Sequence, residues 1–225
     1  MQPRRPLPHQ RSGKHKGFLT LARDMGATLD CLAPAHPVQR QIHAAIEALC
    51  DEPTAATVVD VCSVPNHAVS LAALARAMAC YARPEAALAG RRAAAARRLT
   101  EAMIAQPILI GGPEQTATRP TRAIAGRGAA KSGADGVFVA ILPQADLGIT
   151  LKIDDGAAAE ALIARLLVRA GVLDAAHPVQ SALAACPLLT SRGAVCGEIR
   201  PVLAPAQAQP SGSLARIRRY SRQMT

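Results

Sequence analysis

The sequence has very few aromatic residues. Its 225 residues include two Phe, two Tyr and no Trp, which largely excludes the aromatic stacking platforms on which many single-stranded nucleic-acid binders depend. Half of the residues are nevertheless hydrophobic, with Ala and Leu supplying most of them. That content is sufficient to bury a sizeable core, either in one large domain or in two small ones.

Two further absences narrow the class of protein. No uninterrupted apolar run approaches the ~18 residues of a membrane span, and residues 1–10 lack the apolar centre of a signal peptide, so no membrane partner is expected. The six cysteines are widely and irregularly spaced in a chain too long for a small disulfide scaffold. Together these features predict reduced thiols and a cytoplasmic location.

The net charge of +10 would suit a nucleic-acid partner, but its distribution argues against a specific one. The basic residues are concentrated at the two ends of the chain and in one Ala-rich helix, where a solvated face explains them. We therefore expect no specific nucleic-acid partner. A basic module that binds polyanions non-specifically through its terminal arginines stays as an alternative.

Composition and periodicity divide the chain into three parts. Residues 1–10 form a Pro-rich leader and residues 204–225 a basic tail, both predicted to be disordered, while residues 11–203 form the folded domain. Within it the patterns predict helices at 36–50, 68–82, 84–105 and 156–172, a strand at 57–64, a long loop at 106–130, and a β-hairpin of 136–142 with 147–153. The tetrapeptide HPVQ occurs twice, at 36–39 and 177–180, and predicts two independent helix starts with Pro in the first turn.

The stretch "KSGADG" (131–136) precedes the predicted hairpin and is the first candidate for chemistry. A K-[ST]-G triplet lines the active site of penicillin-binding proteins and serine β-lactamases, where the Lys neutralises a substrate carboxylate and the hydroxyl donates a hydrogen bond. Lys131 and Ser132 are thus candidate catalytic residues, with a solvated turn as the alternative. The nucleophile motif of those enzymes, S-x-x-K, does not occur at any Ser of this chain.

The stretch "VVDVCSVPN" (58–66) is the second candidate. It places Asp60 and Cys62 near a predicted strand end, where α/β proteins carry functional side chains, and two-residue alternation predicts that both point to one face. The carboxylate could then orient or balance a thiolate or a metal. A buried structural Cys is the alternative, and His67 is expected to begin the next helix rather than to serve as a ligand.

Five stretches occur in the order found in one enzyme family: "SGKHKGFL", "PAHPVQRQI", "VVDVCSVPN", "KSGADGVF" and "LGITLKIDDG". From about Ser12 to Pro201 the chain resembles the Rhizobium-type L-asparaginases, or asparaginase II. The resemblance implies an α/β fold of the serine-hydrolase type, a sandwich of antiparallel sheet with helices similar to penicillin-binding proteins, β-lactamases and glutaminases. It also implies hydrolysis of L-asparagine to L-aspartate and ammonia, with a small-molecule amide as the partner.

The resemblance also implies roles for individual residues. Lys131 and Ser132, with the strand-end Asp60, fall on catalytic positions, and Ser12, Lys14 and His15 of the SGKH motif fall on substrate-binding positions. Known members hold zinc through the Cys and Lys of a CSGK motif and the Cys of a D-G-C motif. Carried over, the metal ligands are Lys14 and Cys62.

Departures from the family pattern qualify these expectations. Arg11 stands where the first Cys of CSGK would be, so the zinc ligand set is incomplete. Val61 replaces a Gly and would disturb the turn if that position needs φ > 0, and Ala117 is the best match to a further Cys. The family segment with S-x-x-K is missing, which predicts an N-terminally truncated fold, incomplete at its N-terminus.

Three origins of the short form stay open: a misassigned start, a decaying gene or a true short paralogue. The two leading functional hypotheses are accordingly an asparaginase-like amidohydrolase impaired by truncation and a catalytically inactive remnant or paralogue. A sheet without its N-terminal strands would expose edges and apolar faces. That exposure leaves a homodimer open as the assembly.

Overall fold

A computed structural model describes residues 11–112, 118–154, 156–184 and 186–203. The predicted leader 1–10, the predicted tail 204–225 and Ala117 lie outside the described residues. The chain divides into two compact units, one ending at Ala77 and the other beginning at Met78. Within the described residues no helix combines the length and the apolarity needed to cross a bilayer.

The first unit contains two helices and a two-stranded antiparallel hairpin: α1 (Ser12–Asp24), α2 (Pro37–Cys50), β1 (Ala56–Val59) and β2 (Pro65–Ala68). A third helix, α3 (Leu71–Ala82), crosses the boundary between the units. The core between α1 and α2 is small and centres on Ala22, Cys31 and Val38, against which Phe18 and Ile42 pack.

The second unit continues with helices α4 (Pro84–Ala87), α5 (Gly90–Ala105), α6 (Pro107–Gly111) and α7 (Thr118–Ala123). The antiparallel strands β3 (Ala129–Ser132), β4 (Val137–Leu142) and β5 (Leu147–Lys152) follow, in spatial order β3-β4-β5. Helices α8 (Gly156–Arg169) and α9 (Pro178–Ala184) precede a second hairpin, β6 (Cys186–Leu189) with β7 (Val195–Ile199). The fold is thus mixed α/β, with small antiparallel sheets and several helices.

The larger core lies where α8 packs on the three-stranded sheet. Phe138, Leu142, Ile163 and Leu167 are essentially inaccessible to solvent, and many of the residues around them are Ala. Because Ala carries a single methyl group, elements approach closely and the contacts are short and aliphatic. The scarcity of aromatic residues therefore leaves the unit with a dense core of small side chains.

The predicted hairpin is confirmed, since β4 and β5 pair from Val137↔Lys152 to Leu142↔Leu147. The helix predicted at 36–50 is also confirmed. Both HPVQ segments begin helices with Pro in the first turn, as predicted. In each, the imidazole Nδ1 of the His accepts a hydrogen bond from the backbone N–H two residues later, at 3.2 Å from Val38 to His36 and at 3.1 Å from Val179 to His177.

Other predicted boundaries were wrong. The helix predicted at 84–105 is two helices, because Leu88 is extended and Gly90 has φ +48°. The helix predicted to reach Val172 ends at Arg169, where Gly171 (φ +72°) forms a Schellman motif: the Gly171 and Val172 N–H groups donate to Val168 O and Leu167 O. The helix predicted from residue 68 begins at Leu71.

The predicted loop at 106–130 also contains regular structure. Helices α6 and α7 and the first residues of β3 lie within it. Pro107 occupies the first turn of α6, where its missing N–H costs nothing. A segment whose Pro, Gly and Thr content predicted a loop thus contains two short helices.

A tight turn joins β3 to β4. Asp135 (φ 51°) and Gly136 (φ 69°) both have positive φ, and the Val137 N–H donates to Ala134 O at 3.1 Å. An Asp-Gly pair in this conformation is the type I′ turn that matches the twist of a hairpin. A Cβ at Gly136 would lie 1.7 Å from Ile153 O, so no other residue fits there.

We predict that Gly136→Ala destabilises the protein by at least about 3 kcal/mol, because the added methyl group overlaps backbone and the turn loses its required φ. The measurement is the free energy of unfolding from urea titration. The matched control is Gly171→Ala, which has a similar φ but no atom within 4 Å of the new Cβ and should cost about 1 kcal/mol. Equal losses in the two variants would contradict the steric argument.

Candidate functional site

Asp60 and Cys62 lie in the loop of the β1–β2 hairpin, not in a strand. The strand predicted at 57–64 ends at Val59, and the chain reverses through residues 61–63. The Ser63 N–H donates to Asp60 O at 2.8 Å and the Asp60 N–H to Val64 O at 2.9 Å. This is a three-residue hairpin loop whose last position adopts positive φ, here Ser63 at 66°.

The replacement of Gly by Val61 does not strain this loop. Positive φ falls on Ser63, and Val61 is not among the residues that adopt it. The Val61 side chain is 84% exposed, so its Cβ meets no close packing. The expected disturbance of the turn is therefore absent.

The Asp60 carboxylate brings together residues that are far apart in sequence. Its Oδ2 atom accepts from Lys14 Nζ in α1 at 3.2 Å and from Cys62 Sγ at 3.2 Å, while Oδ1 accepts from the Val61 N–H at 2.7 Å. Both metal ligands implied by the sequence, Lys14 and Cys62, thus meet at one oxygen. The contact between Asp60 and Cys62 arises from the geometry of the loop. The strand alternation that predicted it is not present at these two residues.

Arg11 joins the same carboxylate. Its Nη2 atom lies 3.7 Å from Asp60 Oδ1. Arg11 is the N-cap residue of α1 and Lys14 lies in the first turn, three residues later, a spacing that brings two side chains close together. Asp60 is about three-quarters buried. Hydrogen bonds from the Cys62 thiol and then from Lys14 lower the pKa of Asp60 to about 2, against the opposing effect of desolvation, so the carboxylate is ionised throughout the physiological range.

Ser12 and His15, the other two predicted substrate-binding residues, lie in the same turn as Lys14. Ser12 is the first residue of α1, and the His15 ring packs on the Phe18 ring at a centroid distance of 5.7 Å and a tilt of 58°. Both therefore lie close in sequence to the Lys14 contact with Asp60. Their expected substrate-binding role stays a prediction.

Lys131 and Ser132 lie in the second unit, at the end of β3. The Lys131 ammonium donates to the Ser132 carbonyl oxygen, and partial burial lowers the pKa of Lys131. A side chain that gives up its proton more readily is better suited to exchange protons with a reacting group. The alternative of a solvated turn does not describe Lys131, which lies on a strand and is partly buried.

Thr121 was not identified from the sequence, yet it supports β3. This buried residue of α7 accepts from the Ala130 N–H at 2.9 Å and donates to Ala130 O at 3.2 Å. Among the described strands β3 pairs with β4 alone, so on its outer edge, next to Lys131, Thr121 satisfies the backbone groups of Ala130. A threonine in a region predicted as loop carries no signal of this role.

The residues present do not fit a zinc site. Protein zinc sites use three or four ligands, and the chain supplies Lys14 and Cys62. Both donate their hydrogens to Asp60, and an ammonium in that state has no lone pair for a metal. In the described part of the chain no group of three or more His, Cys, Asp or Glu is placed to hold a metal, and the third family position is the guanidinium of Arg11.

Comparison with known protein families identifies the family to which the chain belongs. The L-asparaginase II family model matches residues 1–201. The chain belongs to the L-asparaginase II family, as the sequence motifs indicated. The match begins at residue 1 and so includes the ten residues expected to be a leader. No curated protein matches the chain.

We predict that Arg11→Cys binds zinc more tightly than the natural chain, because it replaces a cation by a third ligand next to Lys14 and Cys62. Zinc affinity should rise at least about tenfold, as measured by competition with a chromophoric chelator. Arg11→Ser is the control, since it removes the same charge but supplies no thiolate. Tight zinc binding by the natural chain would contradict this prediction, as would a zinc affinity of Arg11→Cys no higher than that of Arg11→Ser.

Proposed function

We propose that the protein is an L-asparaginase-like amidohydrolase that converts L-asparagine and water to L-aspartate and ammonia. The observation that carries the proposal is the family match over residues 1–201. The substrate is a small molecule with a side-chain amide and a charged carboxylate. The wide and irregular spacing of the six cysteines supports reduced thiols and a cytoplasmic location as part of this proposal.

We further propose a serine-hydrolase architecture for the domain. Support comes from the antiparallel order β3-β4-β5, from α8 packed on that sheet, and from the K-S-G triplet at the end of β3. In that architecture the substrate lies along the triplet strand. The edge position of β3 among the described strands is consistent with it.

The reaction proceeds by nucleophilic attack on the amide carbonyl. An activated hydroxyl or thiol attacks the amide carbonyl carbon, its proton passes to the departing nitrogen as the C–N bond breaks, and ammonia leaves. Water then hydrolyses the acyl-enzyme, releasing aspartate and restoring the proton to the nucleophile. Lys131 holds the substrate carboxylate or the developing oxyanion, and the Ser132 hydroxyl donates a second hydrogen bond to it. The S-x-x-K pair that supplies the nucleophile in related hydrolases does not occur at any Ser of this sequence. If ammonia release is measured, the Ser12 hydroxyl and the Cys62 thiol are the groups to substitute.

Asp60 has a different role in this proposal. As a permanently ionised carboxylate it orients the Cys62 thiol and the Lys14 ammonium by accepting from both. Its charge is balanced by Lys14 and Arg11, two cations from one helix turn. The cluster therefore operates without a metal in the mechanism proposed here.

A second candidate function is a catalytically inactive family member. The specific observation in its favour is Arg11, which occupies a family ligand position and pairs with Asp60 at 3.7 Å. In that case the cluster would serve only to fasten α1 to the hairpin loop. A folded chain that releases no ammonia from asparagine, with or without added zinc, would establish this alternative.

We predict that Lys131→Ala lowers kcat/KM for L-asparagine by about 10²-fold or more, as removal of one oxyanion donor does in other acyl-transfer sites. Coupled detection of ammonia measures the rate. Lys152→Ala is the matched control: this lysine lies on β5 of the same sheet, is exposed and pairs with Asp154 at 3.1 Å, so its loss should leave the rate within about twofold. Full activity in Lys131→Ala would refute the role given to Lys131.

A further inference from the structure

Two histidines of the first unit stack face to face. The His43 ring of α2 and the His67 ring of β2 have centroids 4.4 Å apart and planes within 7° of parallel. His67 was expected to begin a helix, and that prediction was wrong, since it lies in β2 opposite Thr57 of β1. The stack therefore joins α2 to the hairpin.

Hydrogen bonds fix both rings in this arrangement. The His67 Nδ1 atom lies 2.9 Å from Thr57 Oγ1. The His43 Nε2 atom lies 2.7 Å from Thr54 Oγ1 and 3.3 Å from Glu47 Oε1, and the Thr54 N–H donates to the same Glu47 oxygen at 2.9 Å. Helix α2, the segment before β1 and both strands are thus tied together at one point.

The outer nitrogen of His67, Nε2, is buried and has no hydrogen-bond partner among the described residues. A buried polar atom in that state is costly. The titratable groups facing this ring are His43 and Glu47, both on α2, while β1 and the segment before it present the hydroxyls of Thr57 and Thr54. Burial and then His43 lower the pKa of His67, against the opposite effect of Glu47.

We propose that the His43–His67 stack is a proton-sensitive latch that holds the β1–β2 hairpin on α2, and that acidification releases the hairpin. The hairpin loop carries Asp60 and Cys62, so His43 and His67 are positioning residues for that loop. The latch rests on the stacked rings and on the buried Nε2 of His67, and it does not depend on the proposed function. Its consequence for asparagine hydrolysis rests on the proposed function.

The direction of the pH effect follows from proton linkage. A proton on Nε2 of His67 would be buried with no acceptor among the described residues, and it would place positive charge against the face of the His43 ring. The folded-state pKa of His67 is therefore below the value of about 6.5 that the unfolded chain has. The open state binds more protons, so the stability of the closed hairpin is full above that range and is lost as the pH falls below about 6.5.

Hydrogen exchange of the β1 and β2 amides at pH 7.5 and pH 5.5, corrected for the intrinsic exchange rate, tests the latch. In the natural chain the protection of these amides should fall by up to about tenfold per pH unit for each linked proton. His67→Phe keeps a ring on His43 but cannot titrate, so its protection should be the same at both pH values. Protection that is independent of pH in the natural chain would overturn the proposal.

His36→Asn is the matched control, because it removes another histidine, from the start of the same helix, and supplies another good N-cap. It should keep the pH response of the natural chain, and a lost response would overturn the assignment to His67. Should His67→Phe fail to fold, imidazole NMR titration of the natural chain decides: titration of His67 at or above about 6.5 overturns the latch. Exchange and titration need no substrate, so a chain without asparaginase activity refutes the proposed function and leaves the latch standing.

Discussion

The first unit depends on one carboxylate. Asp60 accepts from a helix 46 residues earlier in the chain and from a thiol two residues later, and it lies within ion-pair distance of Arg11. A mostly buried carboxylate is costly unless its charge is paired and hydrogen-bonded. Here those partners are the residues that the family motifs bring to the site, so the contacts that stabilise the loop also assemble the candidate chemistry.

The same carboxylate explains how the cluster differs from a metal centre. Two fixed cations, a guanidinium and an ammonium, balance Asp60 where a divalent ion would otherwise supply the charge. A guanidinium keeps its proton at every accessible pH, so this balance does not vary with metal supply. A guanidinium also cannot act as a Lewis acid. It therefore balances the charge of Asp60 without polarising a substrate as a metal ion would.

Local signals in the sequence were sufficient for part of the fold. The alternating strands of residues 137–152 predicted the hairpin, and Pro37 and Pro178 predicted the starts of two helices. The Asp135-Gly136 pair carries the signal of a type I′ turn, and that signal would have placed β3 as well. Family motifs likewise singled out Lys14, Asp60 and Cys62. The order of such motifs can be read from the sequence even though the contacts between these residues cannot.

The remaining features depend on tertiary context. Nothing local indicates that Ser63 takes positive φ and thereby turns a predicted strand into a loop. Two contacts join residues from separate elements: the pairing of Thr121 with Ala130 and the stacking of His43 on His67. Local sequence patterns do not predict tertiary contacts of this kind. Short helices in a Pro- and Gly-rich stretch are similarly stabilised by packing more than by propensity.

The repeated HPVQ segment has a consequence for how the protein folds. Helix formation is limited by its nucleus, because the first turn orders several residues for a single hydrogen bond. At both His36 and His177 a Pro with preset φ and an imidazole acceptor lie within three consecutive residues, and both helices begin there. Each segment therefore carries its own nucleation site, so α2 and α9 can start to form from local sequence before any distant contact exists, and folding can begin independently in the two units.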